Sequence, residues 1–132
     1  MADSRANELQ KPVKAPKPYR VLINGAATAA WYNTQDDEER QKIVEHLLEI
    51  CRGWIQRPGV RFITSFDDDL FLVGDPRVFH KWTIYIILEV DELDTVVSMI
   101  DDCRQGPLRL HQYFTMNATI GRPFWPIEQA VD

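Results

Sequence analysis

Long apolar runs are missing from this sequence, and cysteine is scarce. No stretch of its 132 residues approaches the ~20 consecutive apolar residues that cross a bilayer, and residues 1–18 lack the apolar segment of a secretory signal. We therefore expect no membrane partner. The two cysteines, Cys51 and Cys103, fall in predicted helices. One disulfide is possible, but free thiols are favoured, which predicts a cytoplasmic protein.

The sequence also lacks the usual patterns of metal and nucleotide sites. Its three histidines, at positions 46, 80 and 111, form no pair at metal-ligand spacing. Asp67, Asp68 and Asp69 are consecutive, and neighbouring side chains diverge instead of converging on one cation. Segment 25–30 has no glycine and lysine pattern of a phosphate loop. We predict no metal and no cofactor.

Positive charge is in deficit. The chain has 15 Lys and Arg against 20 Asp and Glu, a net charge of −5. This balance argues against a nucleic-acid partner, because such proteins neutralise phosphates. The first 20 residues hold five of the basic residues and only two acidic ones. We predict a flexible basic, proline-rich arm at 1–18, one domain at 19–121 and an extended tail at 122–132.

Alternating strands and helices fill the predicted domain. The first strand begins near Tyr19, and β-branched or alternating residues predict further strands at 60–66, 82–90 and 108–121. Segment 70–73 extends the second strand or forms a short hairpin arm. Each intervening helix has one apolar stripe: Ile43, Leu47, Ile50 and Trp54 in the first, and Leu93, Val96, Val97 and Ile100 in the second. Thr34 and Asp91 are the predicted N-caps.

The order β-α-β-β-α-β predicts an α+β, ferredoxin-like fold, with two helices on one face of a four-stranded antiparallel sheet. Hydrophobicity assigns Phe62, Ile84, Ile86, Leu88, Leu110 and Phe114 to the helix-covered face. The other face is left open. It is predicted to present Arg61, Ile63, Ser65, Thr83, Tyr85, Ile87, Glu89, Arg109, His111, Tyr113 and Asn117. This mixture of aromatic, aliphatic and ionisable residues favours a half-buried cavity wall over a solvated surface.

The last strand, LRLHQYFTMNATIG at 108–121, supplies the candidate chemistry. An imidazole exchanges protons near neutral pH, so His111 is the candidate general acid–base, and Tyr113 the candidate donor to an oxyanion. The candidate substrate-binding residues are Arg109, Asn117, Tyr85, Arg61, Glu89 and Trp31. Glu89 either orients His111 or pairs with an arginine at the rim, and the rim is favoured. The alternative for the whole strand is a polar dimer seam or a solvated surface.

The element order and the polar, aromatic open face resemble the dimeric α+β barrel superfamily. In that superfamily two ferredoxin-like protomers pack sheet to sheet around small-molecule pockets, so the resemblance implies a homodimer and a metabolite ligand. A closer likeness is to darcynin-like proteins, across about residues 20–125. It rests on Trp31, Glu39-Arg40, Val60-Arg61-Phe62 followed by Phe66-Asp67, and Trp82.

Two functional hypotheses follow from the resemblance and the polar strand. The first is a cofactor-free enzyme that transfers a proton on an aromatic, polycyclic or lactone-like metabolite, as an isomerase or cyclase does, or that acts as a cofactor-independent monooxygenase. The second is a non-catalytic ligand-binding or assembly module of a metabolic cluster. An enclosed void beside His111 and Tyr113 would favour the first hypothesis.

Overall fold

A computed structural model describes residues 18–68, 70, 73–74 and 83–124. In chain order its elements are β1 (Tyr19–Ala27), α1 (Ala29–Asn33), α2 (Asp37–Ile55), β2 (Val60–Asp67), β3 (Ile84–Val90), α3 (Leu93–Asp102), a 3₁₀ helix (Leu110–Gln112) and β4 (Phe114–Gly121). The predicted arm except residue 18, the predicted tail from residue 125, residues 71–72 and Trp82 all lie outside the described residues.

The four strands form one antiparallel sheet in the order β2-β3-β1-β4. This confirms the predicted α+β, ferredoxin-like fold. Register fixes the two faces, because paired residues point to the same side. Ile23 pairs with Ile86 and Ala118, and the buried members of this phase form the helix-covered core.

Helix α2 begins at an acidic cap. The Asp36 carboxylate accepts a hydrogen bond from the backbone N–H of Glu38 at 3.1 Å. Three acidic residues in the first turn interact favourably with the helix dipole. The prediction that Thr34 caps α2 is wrong, because the Thr34 hydroxyl donates to the Ala30 carbonyl at the end of the short helix α1. The predicted cap Asp91 is also wrong. The N-cap of α3 is Glu92, while Asp91 accepts from Arg61 instead.

Trp54 joins α2 to α3. Its side chain is 1% exposed, and its indole N–H donates to the Asp102 carboxylate at 3.1 Å. The same carboxylate oxygen accepts from Arg57 Nη2 at 2.6 Å. The buried indole N–H is therefore satisfied by Asp102, and these polar contacts help to fix how the two helices cross the sheet.

Both cysteines are free thiols. Burial raises the pKa of Cys51 to about 11 and, with the nearby Cys51 and Asp102 adding to the effect, the pKa of Cys103 to about 12. Since the thiolate is the nucleophile, neither residue is activated for catalysis.

A β-bulge divides β2. Phe62 pairs with Leu88, Thr64 pairs with Ile87, and Ile63 is the extra residue between them. The alternation therefore reverses after Ile63. Ser65 lies opposite Ile86 on the helix-covered side, so its predicted place on the open face is wrong, and Phe66 takes that place beside Tyr85.

The predicted last strand begins six residues too early. After Gly106 and Pro107, the backbone of Arg109 adopts a left-handed conformation with φ 43° and ψ 69°, and residues 110–112 form the 3₁₀ helix. The His111 N–H donates to the Cys103 carbonyl at 2.9 Å, which ties this turn to the end of α3. The apolar residues Leu110 and Phe114 are buried as predicted, but Leu110 reaches the core from the 3₁₀ helix.

Candidate functional site

A row of polar and aromatic residues crosses the middle of the open face. From β2 to β4 the row consists of Phe66, Tyr85, Asn24 and Asn117, which face one another in register. We call these four residues the central row. The Phe66 and Tyr85 rings stack with centroids 4.7 Å apart and an interplanar angle of 15°. An aromatic pair thus lies beside a pair of side-chain amides.

Asn24 is the unusual member of the central row. Its Oδ1 is buried without a hydrogen-bond partner. An unsatisfied buried acceptor costs about 1–3 kcal/mol, so a position of this kind calls for an explanation. Because Oδ1 has almost no accessible surface, a ligand's donor reaches it only if the Asn24 side chain rotates toward the open face, and that contact would remove the cost.

Small and aliphatic residues flank the central row. On one side the open face presents Thr64, Ile87, Leu22 and Thr119, and on the other Thr83, Ala26 and Thr115. The flanks are therefore mainly apolar or weakly polar. A flat molecule can lie across such a surface and place its polar group at the amides.

A charged cluster closes one end of the open face. Glu89 lies 3.7 Å from Arg20 Nε and 3.8 Å from Arg61 Nε, and Arg61 Nη2 donates to Asp91 at 3.0 Å. The hydrogen bond from Arg61 to Asp91 is the main cause that raises the pKa of Arg61. In the structure Glu89 therefore pairs with arginines at the rim, which is the alternative that the sequence favoured.

His111 lies at the opposite end of the sheet from Glu89. Glu89 pairs with Arg20, whereas Phe114, just after the 3₁₀ helix, pairs with Ala27. Arg20 and Ala27 are seven steps apart along the strand, which is about 23 Å. Glu89 therefore cannot orient His111.

The structure does not bring the predicted site residues onto one face. Tyr85, Asn117, Arg61 and Glu89 do belong to the open face. Arg109 and His111 precede β4 and do not, because the 3₁₀ helix replaces the strand there. Tyr113 packs against the hydrophobic core.

Trp31 is held within the fold at the end of β1. Its ring centroid lies 5.2 Å from that of Phe114, and the Arg40 guanidinium carbon lies 5.1 Å from the Trp31 ring centroid. Arg40 also donates to the Thr34 carbonyl. These contacts explain a packing role for Trp31 without a ligand.

His111 and Asn117 share a hollow at the edge of β4. It has a volume of about 190 Å³ and is lined by Ile100, Cys103, Arg104, His111, Phe114, Thr115, Met116 and Asn117. The lining is partly apolar, and Arg104 and His111 supply two cationic or ionisable groups. Asn117 therefore belongs to both the central row and this hollow.

Sequence reasoning missed Asn24 and Phe66. Asn24 interrupts the apolar strand Val21-Leu22-Ile23, and an amide inside such a strand was a signal that could have been read. Phe66 could not be found by alternation, because the bulge at Ile63 reverses the phase.

Within 18–68, 70, 73–74 and 83–124, no three His, Cys, Asp or Glu side chains are grouped to hold a metal ion. None of the helices in that part of the chain is long and apolar enough to span a bilayer.

The sheet order, the helix-covered core and the open face together define a ferredoxin-like α+β protein. Two mutant chlorite dismutases from Candidatus Nitrospira defluvii have a similar structure, each with a TM-score of 0.51 and 15% identity. Their fold is that of the dimeric α+β barrels. The similarity covers 97% of this chain but 51% and 50% of those chains, so this chain spans about half their length. No family model and no curated protein matches the chain.

Proposed function

We propose that this protein binds a small, flat metabolite on the open face of its sheet, with the central row as the contact surface. The observation that carries the proposal is the alignment of a stacked aromatic pair with two amides, one of which has an unsatisfied oxygen. Apolar contact area with a few placed polar groups is the usual composition of a small-molecule site.

The chemistry of the central row selects the ligand class. Phe66 and Tyr85 offer aromatic surface, which favours an aromatic, polycyclic or lactone-like ring. Once the Asn24 side chain rotates toward the open face, Oδ1 accepts a hydrogen bond and therefore selects a ligand with an O–H or N–H group. A phenol or enol on a flat ring satisfies both requirements.

A homodimer completes the proposed site. Phe66 is 53% exposed in a single chain, and an aromatic platform binds a small ligand weakly while one side remains in water. Two protomers packed open face to open face, as in dimeric α+β barrels, enclose the ligand between their central rows. The darcynin-like resemblance is compatible with this arrangement and stays a prediction.

The binding test compares two aromatic-to-alanine variants. A hydroxycoumarin is a suitable probe, since it is a flat lactone with an O–H donor. Losing one stacked ring is worth about 0.5–1.5 kcal/mol, so we expect Phe66→Ala to raise the probe's Kd by about 2- to 13-fold. Tyr32→Ala removes a 63% exposed ring on α1 and is the matched control. Fluorescence titration measures both, and equal Kd values for the two variants would contradict the proposal.

A second candidate function is proton transfer catalysed by His111. It is favoured by one observation, the hollow that His111 shares with Asn117 of the central row. A ligand that extends from the row into this hollow would place an acidic C–H near the imidazole, while Asn117 donates to the developing enolate oxygen. The reaction class is then isomerisation or cyclisation.

Exchange of carbon-bound hydrogen tests this second candidate without knowledge of the natural substrate. We expect the protein to speed deuterium incorporation into an enolisable aromatic lactone in D₂O, and His111→Ala to slow it by about 100-fold or more with little change in Kd. NMR measures the exchange. If deuterium is incorporated no faster than in buffer alone, the catalytic function is excluded and the binding function is unaffected. Oxygen consumption in the same sample would instead favour a cofactor-independent monooxygenase.

A further inference from the structure

Helix α2 carries a second apolar stripe beside the one that it buries. The buried stripe includes Ile43, Leu47 and Trp54. The second stripe consists of Val44, Leu48, Cys51 and Ile55, and three of its members remain 36%, 43% and 39% exposed. Exposed apolar residues that line up in this way mark an interaction surface more often than scattered ones do.

The spacing of the second stripe is that of a coiled-coil seam. Steps of four, three and four residues place Val44 and Cys51 at d positions and Leu48 and Ile55 at a positions of a heptad. Two consecutive heptads of this kind form a ridge that fits the groove of another helix. The sequence therefore gives α2 one face for its own core and one for a helical partner.

The surface beside the seam continues onto β2. Leu48, Cys51 and Ile55 line a groove of about 190 Å³ together with Phe62, whose side chain is 47% exposed although it points to the helix-covered side. Leu88 and Ile86 of the core also line this groove. A packed partner would cover Phe62 and the seam in one contact.

The charges that flank the seam indicate which partner fits. Glu45 and Arg52 occupy successive e positions on the exposed edge of the seam, one heptad apart. Along one helix they are about 10 Å apart, too far to form an ion pair. In an antiparallel pair of identical helices, e positions face e positions. A two-fold axis near Leu48 therefore sets each Glu45 opposite the other copy's Arg52.

We propose that the seam of α2, with Phe62, is an interface with a second copy of this chain in antiparallel orientation. The surface is self-complementary in both apolar pattern and charge, as a two-fold interface requires. It lies on the helix-covered side of the sheet, away from the central row. A copy bound here leaves the open face available for a separate contact.

Charge reversal and rescue test this interface directly. Glu45→Arg alone, or Arg52→Glu alone, places two like-charge contacts across the two-fold axis, and we expect either to weaken association by about 10- to 100-fold. The double variant Glu45→Arg/Arg52→Glu restores both ion pairs and is expected to associate within about 3-fold of the natural sequence. Glu49→Arg makes the same charge change at an exposed b position and is the matched control. Analytical ultracentrifugation of the full chain measures the masses and dissociation constants.

Halved mass in each single variant with recovery in the double variant establishes the antiparallel pairing. Three results overturn the proposal. One is a natural sequence that stays monomeric. Another is an unchanged mass in both single variants, which would show that the seam does not join two copies of this chain and would favour a helix of a different protein as its partner. The last is a double variant that stays dissociated, which would exclude the facing of Glu45 and Arg52. Circular dichroism shows whether each variant keeps its helix content, and Leu48→Ser supplies a second disruption that changes no charge.

Discussion

Replacing Trp54 with alanine is expected to lower the free energy of unfolding by about 3–5 kcal/mol. The side chain is among the largest that are fully buried, and it fills the space between α2 and the sheet. Its loss opens a cavity and also removes the hydrogen bond that its indole donates to Asp102. Such a loss is a large share of the stability of a domain of this size.

Trp54→Phe separates packing from the hydrogen bond. Most of the apolar contact remains, and Asp102 keeps its pairing with Arg57. We expect a loss of about 1–2 kcal/mol for this variant. Urea denaturation followed by circular dichroism measures both. If Trp54→Ala lowered the free energy of unfolding no more than Trp54→Phe, the packing of the Trp54 side chain in the core would not stabilise the fold.

Asn24→Leu is expected to separate stability from binding. The change keeps the approximate size of the side chain and removes the unsatisfied Oδ1, so stability should hold or rise by about 1 kcal/mol. Binding of the hydroxycoumarin should fall by about 10-fold or more, because the ligand's O–H then meets no acceptor. Gains in stability that reduce activity are typical of residues placed for a ligand.

Asn117→Leu provides the comparison within the same row. Asn117 is exposed, so its removal relieves no buried acceptor and should leave stability nearly unchanged. Thermal denaturation and probe titration on the same preparations give both quantities. Asn24→Leu with lower stability and unaltered binding would show that the amide serves the fold alone.

The sequence sufficed for the fold because its long elements follow simple periods. The stripe of α2 and the β-branched residues of β3 leave little choice of structure, and their order selects one sheet topology. The site was less accessible. Arg109 and His111 lie in a stretch that alternates as strands do, yet Pro107 and the tie from His111 to Cys103 bend it into a 3₁₀ helix. Tertiary contacts of this kind leave no period in the sequence.

Faces were predictable only where the strands are regular. Tyr85, Glu89 and Asn117 were placed correctly because β3 and β4 keep their alternation. Ser65 was misplaced and Phe66 was overlooked because Ile63 in β2 has no partner on β3, so the alternation shifts by one residue after it. Asn24 could have been recognised without any strand period, since it is the one amide among apolar neighbours in its strand.

The bulge at Ile63 also affects how this chain should be aligned with others. Ile63 acts as a one-residue insertion, since the pairing runs from Phe62–Leu88 directly to Thr64–Ile87. A relative with a regular β2 would be one residue shorter between Arg61 and Phe66. Without a gap at Ile63, an alignment would match Ser65 with that relative's aromatic residue. The position of Phe66 in the central row would then look variable between two proteins that both preserve an aromatic residue there.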